Sequence, residues 1–275
     1  MGKTCGATVL ASQSIKSAGN PQIPLRWIVM PFIRRGCSAL LCTMLTLGLT
    51  ACGSSVSSSR EWSDGGDTFQ MAGSVDERIK NLLEHHADMD QSQRQMLERA
   101  LANEGKISHA DYLTAWDNYR QCLVAKGYNP PTMRLINGVY IHQIKIDTSG
   151  MSEAQQDKLN SDVDGCQARY VLSVDDIYRL NVANPSLYSN SDVALVDCLR
   201  RHALVPKDYS VNQYRAESER FFGTDVSDTK TEREAYTKRR EAFSFDFNAP
   251  QARTCVVTND SSLLIDELET WKPLS

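Results

Sequence analysis

Four cysteines, Cys122, Cys166, Cys198 and Cys255, constrain the fold of this chain more than any other feature, because they are the only sulfhydryls beyond Cys52, which closes an export-type leader. In an oxidising compartment an even set of widely spaced cysteines reads as a disulfide framework. The gaps of 44, 32 and 57 residues hold no Cys-x-x-Cys and no histidine pair with ligand spacing, which disfavours a zinc site. Four cysteines allow three pairings, and spacing alone does not choose among them. A weak internal echo does favour one. The segment from Trp116 to Tyr128 carries Cys122-Leu123 and precedes Pro130, while the segment from Ala194 to Leu204 carries Cys198-Leu199 and precedes Pro206. Each reads as a helix stopped by a proline and followed later by another cysteine. The expected bridges are therefore Cys122 with Cys166 and Cys198 with Cys255, one in each half.

The export reading rests on Leu49-Thr50-Ala51-Cys52, which closes an apolar run from Gly36 to Ala51 behind Arg34 and Arg35. That run is shorter than the ~20 residues a helix needs to span the hydrocarbon, and it ends in small residues rather than a charged stop. Small residues at 50 and 51 suit a peptidase groove. The Cys52 thiol can attack an acyl-glycerol donor, after which cleavage leaves Cys52 as the new N-terminus. Two acyl chains at ~0.8 kcal/mol per buried CH₂ hold such a protein on a bilayer. Ile33 to Ser38 lacks the fuller twin-arginine motif, so general secretion to the outer face of the bacterial cytoplasmic membrane is expected. Met1 to Trp27 is long for an n-region, and Met30 begins a compact signal that could be the true start. The domain plan is a signal peptide over 1–51, a Ser/Gly-rich tether over 52–74 and a helical extracytoplasmic domain over 75–275, with halves 75–185 and 186–275.

Charge restricts the partners. The leader holds five bases and no acid, so the part from Cys52 onward carries 25 bases against 34 acids, a formal charge of −9. Nucleic acid is disfavoured, since phosphate binding needs a concentrated basic face. Lys238-Arg239-Arg240 is the one basic cluster, and Glu232, Glu234 and Glu241 around it give the pattern of a solvated helix face.

Hydrophobic periodicity makes the fold mainly α with one small β-hairpin, a disulfide-stapled helical domain in two weakly similar halves. Helices are expected over Val75–Ala87, Gln91–Ala102, from Ser108 as N-cap to Gly127 as left-handed cap, over Ser152–Tyr170 and over Val174–Ala183. Others are expected near Asp192–His202, Val211–Phe222 and Thr231–Phe243. Met133–Ile136, Asn137-Gly138 and Val139–Ile146 read as the hairpin, because Asn-Gly suits a type I′ turn. Beyond Phe245 the pattern predicts irregular chain held by Cys255 and docked through Leu263, Leu264, Ile265, Leu268 and Trp271. The stripe Tyr112, Ala115, Trp116, Tyr119, Cys122, Leu123 reads as core; its alternatives are an aromatic platform for sugar or peptide, or a closed pocket lined by Trp116, Tyr119 and Tyr140.

Motifs for chemistry fail on inspection. Asn160–Gly165 opens like a calcium loop, but its twelfth position is Val171 where a bidentate Glu is required. No nucleophile elbow, His-Glu-x-x-His pair or phosphate-binding glycine loop occurs, so neither cofactor nor metal is expected. His85, His86, His109, His142 and His202 read as surface or satisfied histidines. Asp162 with Asp164, and Asp175 with Asp176, could supply a carboxylate pair for a wall-directed hydrolase, although adjacent acids at helix starts also serve as caps.

The lipobox at Leu49–Cys52, the Ser-rich tether and the helix Tyr112-x3-Trp116-x2-Tyr119-x2-Cys122-Leu123-x3-Gly127-Tyr128 resemble a broad group of actinobacterial-type secreted lipoproteins with paired cysteines. The likeness covers the signal and some twenty residues around Cys122, and it transfers one role, lipid attachment at Cys52. That group is largely without assigned function, and the function expected here is a non-enzymatic envelope lipoprotein that holds the bilayer through a diacylglyceryl group and binds an envelope protein, a peptide or a wall component, the alternative being the wall-directed hydrolase.

Overall fold

A computed structural model of the chain describes residues 8–11 and 68–274, apart from the side chains of 8–11 and of Ile265. Cys52, the apolar run before it and most of the tether lie outside the described residues. Among those described the chain is mainly helical, with nine α-helices and short strands. The first five are α1 (Val75–His85), α2 (Gln91–Leu101), α3 (His109–Ala125), α4 (Glu153–Tyr170) and α5 (Leu172–Ala183). Side-chain caps start four of them. Ser74, Asp90, Ser108 and Ser152 each accept a backbone N–H of the first turn, and Ser152 with Gln155 completes a capping box. Gly127, at φ +94°, follows α3 in the left-handed conformation expected there.

The second group is α6 (Ser191–Arg201), α7 (Val211–Gly223), α8 (Glu232–Arg240) and α9 (Pro250–Asn259). α9 corrects the expectation of irregular chain after Phe245. Pro250 at the first turn is a good helix start, and the β-branched run Val256-Val257-Thr258 is carried by burial against the core rather than by propensity. A 3₁₀ segment, Ser261–Glu267, follows and buries Leu263 and Leu264.

Three strand pairings complete the fold. Asn137 (φ 49°) and Gly138 (φ 84°) form the tight turn between β2 (Leu135–Ile136) and β3 (Val139–Tyr140). The expected second strand breaks after Tyr140. Its far end becomes a separate strand, β4 (Ile144–Asp147), with Thr8–Ala11 (β1) antiparallel on one edge and Thr270–Trp271 (β5) parallel on the other. The cause is alternation: Ile144 and Ile146 bury on the first core, whereas Ile136, Val139 and Ile141 bury on the second.

Two apolar cores divide the molecule. One gathers α1 to α5 around Trp116, Tyr112, Tyr119 and Leu123; the other gathers α6, α7, α9 and the phenylalanines 243, 245 and 247. The halves read from the sequence do not close on themselves, because the hairpin joins the second core and Trp271 joins the first. Each core holds one bridge, Cys122–Cys166 between α3 and α4, and Cys198–Cys255 between α6 and α9. The tether ends earlier than expected, since Phe69 and Met71 already bond to Ser189 and Leu187.

Closing loops of 44 and 57 residues is worth about 4 kcal/mol each on the chain-entropy model. Replacing either pair by serine is expected to lower the urea-unfolding free energy by about 2–4 kcal/mol, and reducing wild type should reproduce the sum of the two.

Candidate functional site

One heavily connected polar group is Arg179, on α5 between the two cores. A guanidinium carries five N–H donors in a fixed fork and pays a large desolvation penalty, so it is retained in an interior only where acceptors meet it. Here Nε donates to Asp175 one turn earlier, one terminal nitrogen to the Val257 carbonyl on α9 and the other to the Tyr140 carbonyl on β3. Tyr112 of α3 donates to the other Asp175 oxygen at 3.0 Å and accepts the Tyr140 amide at 2.9 Å. Burial and the neighbouring Asp175 carboxylate push the Tyr112 hydroxyl well above its ordinary range. Four elements from both cores thus meet at one cation.

His142 stands beside this network, with Nδ1 3.4 Å from the Ser261 hydroxyl. Burial, reinforced by the Arg179 charge and only partly offset by Asp175, lowers its pKa to about 4. It is the histidine that departs from the expectation of a surface or ordinarily satisfied group. His109, by contrast, pairs with the Tyr178 hydroxyl at 2.9 Å.

The four acids considered for hydrolysis are dispersed among structural partners. Asp162 lies on α4 facing α3; burial would raise its pKa, but bonds from Lys126, Lys158 and the Tyr128 hydroxyl outweigh that and hold it at about 2. Asp164 is exposed on the same helix. Asp175 belongs to Arg179, and Asp176 faces α1, where Arg78 holds it at 2.9 Å; burial nonetheless raises its pKa. Asn160–Gly165 is wholly inside α4, so it cannot wrap a cation as a calcium loop does.

Other sequence readings also change. Arg240 is not a solvated face residue, because it is largely buried on Asp266 and Glu267, and Glu267 in turn takes a two-pronged bond from Arg253. Trp116 and Tyr119 fill the first core rather than lining a void. Among the described residues Cys198, Cys255 and His202 are near enough to share an ion, but both sulfurs are tied up in the disulfide and offer no thiolate.

One open cleft remains in view. It has a volume of about 320 Å³ and is lined by Arg120, Pro130, Pro131, Thr132, Met133 and Tyr140. Its floor adjoins α3, where the Trp116 ring packs 5.3 Å from Tyr140. Its far wall is fixed by the C-terminal segment: Asn129 bonds Pro273 and Lys272, and the Trp271 indole donates to the Asn129 carbonyl at 3.0 Å. Sequence reading named Tyr140 but missed Arg120 and the two prolines as a lining; Arg120 beside an aromatic stripe was the available signal. No protein-family model, curated protein or solved structure matches this chain.

Two outcomes are expected. Arg179→Met should cost about 3–5 kcal/mol by leaving Asp175 buried and unpaired, whereas the Asp175→Leu/Arg179→Met double variant should cost less than Arg179→Met alone. As for pH, the folded form keeps His142 neutral down to about 4 while the unfolded form protonates near its usual ~6.5. Its contribution is present above that range and is lost as pH falls through it, so wild type should lose about 2–3 kcal/mol more than His142→Asn between pH 6.5 and 4, measured by urea unfolding.

Proposed function

We propose that the chain is a lipid-anchored extracytoplasmic binding module, fixed to the outer face of the bacterial cytoplasmic membrane through Cys52 and without hydrolytic chemistry of its own. The observation that carries the binding half is the assignment of the acids: Asp162, Asp175 and Asp176 each hold a cation that belongs to the scaffold. A glycosidase needs two carboxyls facing across one cleft at ~5–10 Å. The cleft beside Arg120 is lined instead by a cation, an aromatic ring and prolines, the composition of a recognition surface.

The anchor half is supported by the lipobox and by the described body, in which no helix is long and apolar enough to cross a membrane. With the tether ending at Phe69, a Ser/Gly-rich chain from Cys52 reaches roughly 20–25 Å, which clears the headgroups. Processing at Cys52 removes β1. The outer edge of β4 is then unpaired, and the half-buried Lys145 and Asp147 on it supply the charge that keeps sheet edges from pairing with other chains.

Fractionation of the native host checks the anchor. Wild type should sediment with membranes and carry a diacylglyceryl mass on Cys52, and Cys52→Ser should lack that mass and keep its leader uncleaved. A soluble wild-type protein with a free Cys52 thiol overturns the proposal.

A further inference from the structure

Arg120 lines the cleft from α3, one turn beyond the buried Trp116. The Nε of Arg120 and the Nε1 of Trp116 are enclosed donors with no acceptor. Buried N–H groups are almost always paired, and an orphan commonly marks a place for a water, ion or ligand. Both nitrogens are shut off from solvent and Trp116 belongs to the core, so the group that the cleft presents is the outer end of the Arg120 guanidinium. The Arg120 side chain is 41 % exposed, and its ion-pair partner is Asp117, itself exposed and at the long distance of 3.9 Å, so its outer nitrogens are open to a better acceptor.

From this geometry we infer that the cleft takes the free carboxylate of a short peptide, a conclusion that rests on the binding-module reading and names its ligand class. One guanidinium with a planar fork matches one carboxylate in two-pronged geometry. A phosphate dianion would call for more than one cation, and Arg120 is the single charged residue in the lining. The remaining walls suit the residues that precede a C-terminus. Tyr140 and Met133 give apolar area, Pro130 and Pro131 give a stiff rim, and about 320 Å³ admits two small residues rather than a folded segment. The site is built in advance. Tyr140 is held by the Tyr112 hydroxyl through its amide and by Arg179 through its carbonyl, and the Pro130 side is pinned through Asn129 to the C-terminal segment. Little ordering is left for the ligand to impose. On a domain of formal charge −9 beyond the leader, an isolated arginine in a cleft also selects the anion locally, where the general field repels it.

A peptide carboxylate outside a cell has two sources, the stem peptides of the wall and the C-termini of exported proteins, and stereochemistry separates them. The test is calorimetric titration of the full-length lipidated protein in detergent with acetyl-D-alanyl-D-alanine, acetyl-L-alanyl-L-alanine and the C-terminal amide of each. The free acid of at least one series should bind at least tenfold more tightly than its amide, and Arg120→Gln should remove that difference while keeping the wild-type urea midpoint. Preference for the D series assigns a wall peptide, and preference for the L series a protein C-terminus. Equal affinity of acid and amide, absence of binding up to about 10 mM, or displacement by inorganic phosphate more effective than by acetate would each overturn the inference. The acid-to-amide comparison is made on wild type, so it holds even if Arg120→Gln unfolds. Failure here leaves the anchored-module reading intact, because fractionation decides that separately.

Discussion

A buried arginine is the constraint on which the rest of this structure depends. Arg179 must satisfy its donors away from water, and it does so by drawing on α5 itself, β3 and α9, while Asp175 brings in Tyr112 of α3. The two cores are apolar and separately stapled, and neither disulfide crosses from one to the other. The alignment of one core on the other draws on these hydrogen bonds with strict geometry, on the crossing of the hairpin and Trp271 into opposite cores, and on α5, whose Ile177 packs in the first core and Ala183 in the second. Replacing such a network by apolar groups can leave stability unchanged, so its value lies in specifying one arrangement.

That arrangement also shapes the cleft. The Tyr140 carbonyl that accepts from Arg179 belongs to the residue whose ring forms a cleft wall, and the Tyr140 amide donates to the hydroxyl that caps Asp175. The chain from helix face to buried cation to cleft wall is short. The bridge at Cys122–Cys166 fixes α3 on α4 from the other side, so Arg120 projects from a helix restrained at both ends of the same stretch. Sulfurs hold each core, and an ion pair helps to set the angle between them.

Much of this was legible in the sequence, for reasons that particular residues make clear. Ser108 stands before apolar periodicity and does cap α3; Asn137-Gly138 does make the turn; and the echo around Cys122-Leu123 and Cys198-Leu199 does single out the observed pairing. α9 was missed because its buried residues, Ala252 and then Cys255 to Thr258 in succession, do not mark out one helical face. The split of the hairpin strand was missed because alternation tells which residues share a face and not which of two cores that face meets. Arg179 was missed for a deeper reason. Asp175 and Arg179 at i and i+4 look like any exposed helix pair, and only the tertiary fold shows that α5 is enclosed on both sides. Arg240 misled in the same way, because a basic triplet next to acids reads as solvated until Asp266 and Glu267 arrive from 26 and 27 residues away.

The claim that one cation makes two cores into a single body is open to direct measurement by native-state hydrogen exchange, following amides of α3 and α9 as urea is raised. If Arg179 couples the cores, the slowest amides of both helices converge on one opening free energy and one urea dependence in the wild-type protein. Separate isotherms, with α9 opening at a distinctly lower free energy while α3 stays protected, would contradict it.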